Sequence, residues 1–522
     1  MKKNRPVIVG TLLLTLSGIL CRTIGFFYRI FLSNTIGEEG MGLYQLAFSA
    51  AAIFTALCCS GFQTAISQLT ATANGHTKQE QQIFRSGMLL SMLTSAVTGL
   101  ALYEFAPLIA RTLLMEERCI ILLQYYAISL PFSAIHNCFN GAYLGKQKAL
   151  LPALSQLFEQ IIRVASILIM WQVALSQGQE LTPSHAMAGL FISELAVVLF
   201  LIPCYYAKKH SASVKLKSAA SDITSSPSAM EASFPQAEST SSGFVLKSLL
   251  VFAMPLIANR LVLTLLQSLE TIFIPGQLRL YGLSASDALR TYGVFTGMVL
   301  PFLMFPASLT GSVATMTLPA VASAQSNENT KRLHTISRST ISFSLWLGFF
   351  AAGLFYLYGQ EIGDLVFGST AAGSYLKTLS FLCPFLYLSM TLNSILNGLG
   401  KPNVIFFQSI FCLLLRMLSV LFLIPKMGIW GYFIGTFISQ SLICVMHYHY
   451  LQKLLNLPFY GNDYLLRPVF YTCISGGISI GLYTLLHQYG SALPSILPLT
   501  CALGMMCLIG CGFGLRSFRS VS

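Results

Sequence analysis

Apolar residues run along this chain in blocks of about twenty to thirty, separated by short polar turns. Each block is long enough to cross the hydrocarbon core of a bilayer as an α-helix. Fourteen such blocks lie near 7–33, 42–69, 86–110, 119–139, 150–172, 186–207, 244–271, 290–318, 335–359, 375–396, 403–425, 430–452, 465–487 and 493–515. Pro131, Pro255, Pro301, Pro306 and Pro384 fall inside blocks and are expected to bend their helices. The pattern predicts an all-α polytopic membrane protein of about fourteen transmembrane helices. The first apolar run, after Lys2, Lys3 and Arg5, continues past Arg22 without a small-x-small cleavage site, so it reads as a retained span rather than a secretory signal.

The polar turns carry a directional signal. With the N-terminus inside, twenty Lys and Arg residues fall in inner segments and six in outer ones. That bias predicts both termini in the cytoplasm and a multi-pass protein of the cell membrane. Residues 208–243 interrupt the apolar pattern with serine, lysine, glutamate and proline, and are expected to form a flexible cytoplasmic linker.

On either side of that linker the chain resembles itself. Asn140-Gly141 with Gly145-Lys146 leads into the fifth block, and Asn397-Gly398 with Gly400-Lys401 leads into the eleventh, 257 residues later. Tyr44 precedes Ala65 at nearly the spacing that separates Tyr292 from Ala314. The expectation is two pseudo-symmetric six-helix lobes, 1–207 and 244–452, with 453–522 adding two helices and a tail. Even-numbered halves that both start inside are parallel repeats, as in rocker-type transporters. Gly141, Gly145, Lys146, Gly398, Gly400 and Lys401 are the expected conformational turns.

Composition agrees with the membrane assignment. Of 522 residues, 54% are hydrophobic and only 9% charged, against about 25% charged in soluble domains. The net charge of +13 sits in short loops without a continuous basic face, which argues against a nucleic-acid partner. The thirteen cysteines lie mostly inside apolar blocks without metal spacing, so they read as small apolar fillers. The adjacent Cys58 and Cys59 suit neither a disulfide nor a CxxC pair.

The unusual charges lie inside the spans. Arg22 sits ~24 Å along the first helix from Pro6, past the bilayer midplane, and Arg29 lies further on. An arginine facing lipid at that depth costs about 3 kcal/mol or more, so such residues face cavities or other helices. Arg163, Arg260 and Arg416 lie at comparable depths in the fifth, seventh and eleventh spans. Together the five suggest a cationic cavity whose guanidinium groups present forked donors to phosphate oxygens. The structural alternative is snorkelling or ion pairing; Glu159 and Arg163, four residues apart, can neutralise one another. Glu194 is a coupling-ion or proton site, or an arginine's partner. Glu104 and Glu270 read as markers of helix ends near the outer surface. His136 reads as a satisfied buried histidine. The His447-x-His449 pair reads as interfacial rather than metal-binding, and no metal site is expected. There is no P-loop, so no nucleotide cofactor is expected, and pumping would draw on the membrane potential, on H+ or Na+, or on the substrate's own gradient. DxD, GxSxG and HExxH are also missing, which weighs against an enzyme.

Arg22-x2-Gly25-Phe26-x2-Arg29, the element Gly37-Glu38-Glu39-Gly40-x-Gly42-Leu43-Tyr44, and Ser155-Gln156-x2-Glu159-Gln160-x2-Arg163 resemble the polysaccharide flippases of the multidrug/oligosaccharidyl-lipid/polysaccharide exporter superfamily. The resemblance covers the whole chain. It implies a two-lobed, fourteen-helix flippase of the bacterial cytoplasmic membrane. The implied cargo is an undecaprenyl-pyrophosphate-linked glycan, with a peptidoglycan precursor for spore cortex favoured. Cell-wall synthesis proteins and membrane lipid are the implied partners. The related lipid II flippases carry an arginine in the eighth span; aligned through Pro306 and Pro319, this chain has Pro301 there. Three alternatives stay open: a cation-coupled drug exporter of the same superfamily, a membrane-embedded glycan-transferring enzyme, and a non-transporting scaffold for wall synthesis.

Overall fold

The computed structural model describes residues 5–73, 77–221, 242–489 and 500–508. Among these, every regular element is a helix. Hydrocarbon offers backbone N–H and C=O groups no water, and a helix satisfies them within its own segment. The first half holds α1 (Arg5–Thr55), α2 (Gly61–Thr72), α3 (Thr77–Leu108), α4 (Cys119–Gly145), α5 (Leu150–Ser176) and α6 (Pro183–Ser221). The second half begins with α7 (Ser242–Leu280), α8 (Ala285–Gly293), the single turn α9 (Leu300–Leu303), α10 (Ala307–Ser326) and α11 (Thr330–Phe367). It continues with α12 (Thr370–Leu379), α13 (Cys383–Gly398), α14 (Pro402–Phe422), the turn α15 (Ile424–Met427), α16 (Ile429–Leu455) and α17 (Arg467–Tyr489). Large apolar side chains such as Val97, Leu100, Phe407 and Phe422 are left exposed on the outside of the bundle, as a lipid-facing surface requires.

Eleven helices among the described residues are long and apolar enough to cross a membrane, and twelve if a bent pair counts as one span. The first of them, Leu13–Thr72, covers two predicted spans. It is broken at Gly37, whose φ of 71° and ψ of −178° leave the helix and strain any residue but glycine. The predicted span 290–318 is the bent pair, Ala285–Leu303 and Ala307–Ser326, meeting at 56°. Pro301 and Pro306 stand at that break, and Pro384 opens α13 just after a 3-10 turn. Pro131 and Pro255, by contrast, are accommodated inside the continuous helices α4 and α7. The predicted span 493–515 lies largely outside the described residues. So does most of the predicted linker; its first part instead continues α6 through Ser221, because its Lys, Ala and Leu residues favour helix and no Gly or Pro interrupts them.

The repeated Asn-Gly element has a packing reason. A β-carbon on Gly141 would stand 2.5 Å from the Gln63 carbonyl oxygen, and one on Gly145 2.5 Å from that of Ser67, so α4 lies directly against α2. In the second half, a β-carbon on Gly398 would stand 2.9 Å from the Leu318 carbonyl oxygen, where α13 lies against α10. Small residues let helix backbones approach this closely inside a membrane. Gly141, Gly145 and Gly398 are therefore helical contact residues. The chain turns at Lys146, which caps α4 and pairs with Glu80 at 2.8 Å, and at Gly400 (φ 67°) and Lys401, which precede α14.

The HxH pair is split between two environments. His447 is fully buried, with Nε2 2.7 Å from the Asn393 side-chain oxygen, whereas His449 is exposed. Residues two apart on a helix are turned by about 200°, so an HxH pair cannot share one face. His447 is thus buried within the bundle, packed on Asn393 of α13.

Candidate functional site

A cavity of about 710 Å³ lies between the two halves, walled on one side by α1 and α5 and on the other by α7 to α10. Arg22, Arg29 and Arg163 all line it. Helical spacing explains the first pair: seven residues are close to two turns, so Arg22 and Arg29 share a face of α1. Arg22 is accessible in the cavity; its Nη1 donates a long hydrogen bond, 3.4 Å, to the Ser308 carbonyl of α10. Among the described residues, neither Arg22 nor Arg29 has a carboxylate within ion-pair distance. Arg163 does pair with Glu159, one turn away on α5, yet still contributes to the wall.

Behind Arg163 lies a buried polar cluster. His136 Nδ1 of α4 is 3.4 Å from Glu194 of α6 and 3.9 Å from Glu159, and its Nε2 is 3.2 Å from the Ser155 hydroxyl. Ser155 in turn donates to the Asn140 side-chain oxygen at 3.2 Å. One ligand atom each from His136, Glu159 and Glu194 lies within 4.8 Å of the others, an arrangement that a cation could share. The depth of Glu194 in its span suggested an arginine's partner or an ion or proton site; in the structure its ionisable neighbour within ion-pair distance is this histidine. Three helices bring the group together, and no spacing within one of them announces it.

Arg260 and Arg416 stand apart from the cavity. Arg260 is exposed on α7, eleven residues and therefore about 16 Å before Thr271, the α7 residue that does line the cavity. Arg416 of α14 is held by Glu270 of α7 at 2.5 Å, and Tyr432 of α16 donates to the same carboxylate oxygen at 2.7 Å. Glu270 is 1% exposed. It is not a marker of a helix end: it is the counter-ion that keeps Arg416 inside the second half.

One end of the cavity is sealed where α1, just past Gly37, crosses α8. Arg118 pairs with Glu39 at 2.7 Å and with Glu116 at 3.1 Å, and Glu116 also holds Arg279 of α7. Ser286 donates to Glu39 at 2.7 Å, and Asn34 donates to the Val366 carbonyl at 3.0 Å. Burial alone would lower the Arg118 pKa, but hydrogen bonds to Glu39 and Glu116 outweigh it and raise the value.

Sequence reasoning missed the uncharged residues of the cavity. Tyr44 and Tyr292 stood out only as landmarks of the repeat, and both face the cavity together with Tyr28, Gln45, Thr271 and Thr296. The recurrence of a tyrosine at one register in both halves was the available signal.

Comparison with known proteins places the chain. Residues 7–325 match the family described as "Polysaccharide biosynthesis protein", and residues 255–421 match MatE. The chain is 26% identical to stage V sporulation protein B of Bacillus subtilis (strain 168) over 462 residues, 88% of this chain and 86% of that one. Its fold is similar to that of a solved lipid II flippase MurJ in an inward closed conformation, with a TM-score of 0.70, 13% identity, and 98% and 99% of the two chains covered. An outward-facing MATE transporter of the MOP superfamily is similar with a TM-score of 0.58, 14% identity, and 86% and 95% coverage. The chain belongs to the polysaccharide biosynthesis protein family, within the superfamily of membrane flippases and exporters.

Proposed function

We propose that this protein flips an undecaprenyl-pyrophosphate-linked glycan, a peptidoglycan precursor being the favoured cargo, by alternating access between lobes 1–207 and 244–452. The observation that carries this reading is the cavity between the halves, where Arg22 and Arg29 present guanidinium groups without a carboxylate partner among the described residues. Paired donors of that kind suit a pyrophosphate, and the low-dielectric walls of the cleft strengthen the attraction relative to bulk solvent. Arg22 captures the pyrophosphate from the cytoplasmic side, with Arg29 beyond it and Arg163 at the wall. The lobes then rock and release the headgroup outside while the lipid tail stays in the bilayer. Relatives named as a sporulation protein and a lipid II flippase support the cargo class.

This reading places the protein in the bacterial cytoplasmic membrane with both termini inside, the 453–522 segment beside the lobes, and cell-wall synthesis proteins as its neighbours. The buried group of His136, Glu159 and Glu194 serves coupling, taking up a proton or Na+. A drug exporter of the same superfamily is the second reading, supported by the MatE match over 255–421; Arg22 and Arg29 in the wall repel the cationic drugs such a protein would carry.

The test is flipping of a fluorescent undecaprenyl-pyrophosphate glycan in proteoliposomes by wild type and Arg22→Ala. Transport by wild type and at least a tenfold loss in Arg22→Ala is expected. Equal rates would remove Arg22 from the substrate path, and no transport by either folded protein would overturn the cargo.

A further inference from the structure

The two walls of the cavity differ in chemistry. All three of its arginines come from the first half of the chain. The second half contributes Thr271, Tyr292, Thr296, Phe305, Ser308 and other residues, none of them charged. A cavity built to hold only a pyrophosphate has no need of this second wall.

The uncharged wall also holds unspent hydrogen-bonding capacity. Tyr292 is completely buried; its hydroxyl is turned toward those of Ser49, Thr271 and Thr296, yet makes no hydrogen bond of good geometry. Thr271 and Thr296 donate back to their own helices, Thr271 to the Gln267 carbonyl and Thr296 to the Tyr292 carbonyl at 2.7 Å, which leaves their oxygens as acceptors. Gln45 spends its amide donor on the Thr296 carbonyl at 2.9 Å, and its side-chain oxygen is the remaining acceptor. On the facing wall, Tyr28 is 7% exposed and its hydroxyl also lacks a partner. A buried hydroxyl without a partner is costly, and here two of them border one cavity, where a ligand can complete them. Aromatic faces adjoin these groups: Tyr44 stacks on Phe48 with ring centroids 6.2 Å apart, and Phe26 stacks on Phe305 at 4.3 Å.

We propose that the part of the cavity around Tyr292 and Tyr28, the latter next to Arg29 in the chain, is a sugar subsite that reads the glycan of the lipid-linked substrate. An uncharged ring bearing several hydroxyls both donates and accepts, which is what phenol, threonine and amide oxygens complete. Its apolar faces lie on aromatic rings, and neither a cation nor a second phosphate would fit this wall. The inference rests on the flippase reading and adds to it a specificity element: the arginines hold the phosphates, and uncharged residues of both halves inspect the sugar. A site that hydrogen-bonds a substrate hydroxyl rejects the analogue that lacks it.

The test measures binding of two lipids to the full-length protein in nanodiscs: undecaprenyl pyrophosphate, and the same lipid carrying N-acetylglucosamine. Wild type, Tyr292→Phe, Tyr28→Phe and the double variant are compared, each with its thermal unfolding midpoint checked; removing only a hydroxyl keeps each ring in place. The expected result is an about tenfold preference of wild type for the sugar-bearing lipid. In the double variant that preference disappears while affinity for the sugar-free lipid stays within about twofold. Equal affinity of wild type for both lipids, equal losses on both, or an unchanged preference in the double variant would overturn the subsite. In those cases the flippase reading survives, provided Arg22→Ala still weakens the sugar-free lipid. Failure of wild type to bind either lipid would overturn both readings.

Discussion

Gly42 and Gly293 meet backbone to backbone. A β-carbon on Gly293 would stand 2.5 Å from the Gly42 amide nitrogen, and one on Gly42 would stand 2.3 Å from the Leu289 carbonyl oxygen. The contact joins α1 of the first half to α8 of the second, beside the Glu39, Arg118 and Ser286 network. Real β-carbons do not approach backbone this closely, so any side chain here must push the halves apart at this end of the cavity.

Gly42→Ala is therefore expected to loosen the seal without unfolding the helices. Hydrogen–deuterium exchange should show faster amide exchange in Ala285–Gly293 and around residues 38–45, with helix content unchanged. Exchange identical to wild type would mean that the two backbones do not meet in solution.

Arg22 depends on the absence of a side chain opposite it. Its Nη1 lies 2.8 Å from where a β-carbon of Gly311 would be. Gly311→Ala should displace the guanidinium at little cost in stability, because the tip of a long side chain can move. Binding of undecaprenyl pyrophosphate is expected to weaken about 10- to 100-fold, the order of one lost charge-assisted hydrogen bond. Unchanged affinity would show that Arg22 reaches the ligand from another rotamer.

Glu270 carries a structural prediction. Removing it leaves Arg416 without its counter-ion in the bundle interior, where breaking a buried pair costs about 3–5 kcal/mol; the 21% exposure of the Arg416 side chain favours the lower end of that range. Glu270→Gln should lower the unfolding midpoint, and Glu270→Gln with Arg416→Met should restore much of the loss. A double variant as unstable as the single one would show that packing of Arg416, rather than its charge, is what matters.

For the group of His136, Glu159 and Glu194, the expected outcome concerns coupling. Glu194→Gln should abolish the acceleration of flipping by an imposed H+ or Na+ gradient while leaving gradient-free exchange within about threefold, since the carboxylate lies behind the cavity wall. Full retention of gradient dependence would remove this cluster from coupling.

Much of this architecture was legible in the chain. The apolar blocks predicted helices that were found wherever the residues are described, since spanning a bilayer is a property of a single segment. The gap between the first two predicted spans, near 7–33 and 42–69, is where α1 breaks at Gly37, and Arg22 and Arg29 were singled out by their depth along one helix. Glu159 and Arg163 are one turn apart, and their pairing needed nothing beyond α5.

Other relations were decided only by tertiary structure. Arg416 and Arg163 occupy matching depths in matching spans, yet Glu270 of another helix draws one away from the cavity while the other lines it. His136 and Glu194 are 58 residues apart in sequence, and Tyr292 reaches Ser49 only because α8 crosses α1 at two glycines. Hydropathy and periodicity report what one segment needs from its solvent. Which carboxylate an arginine meets, and which face of a helix borders a cavity, depends on how neighbouring helices rotate and approach.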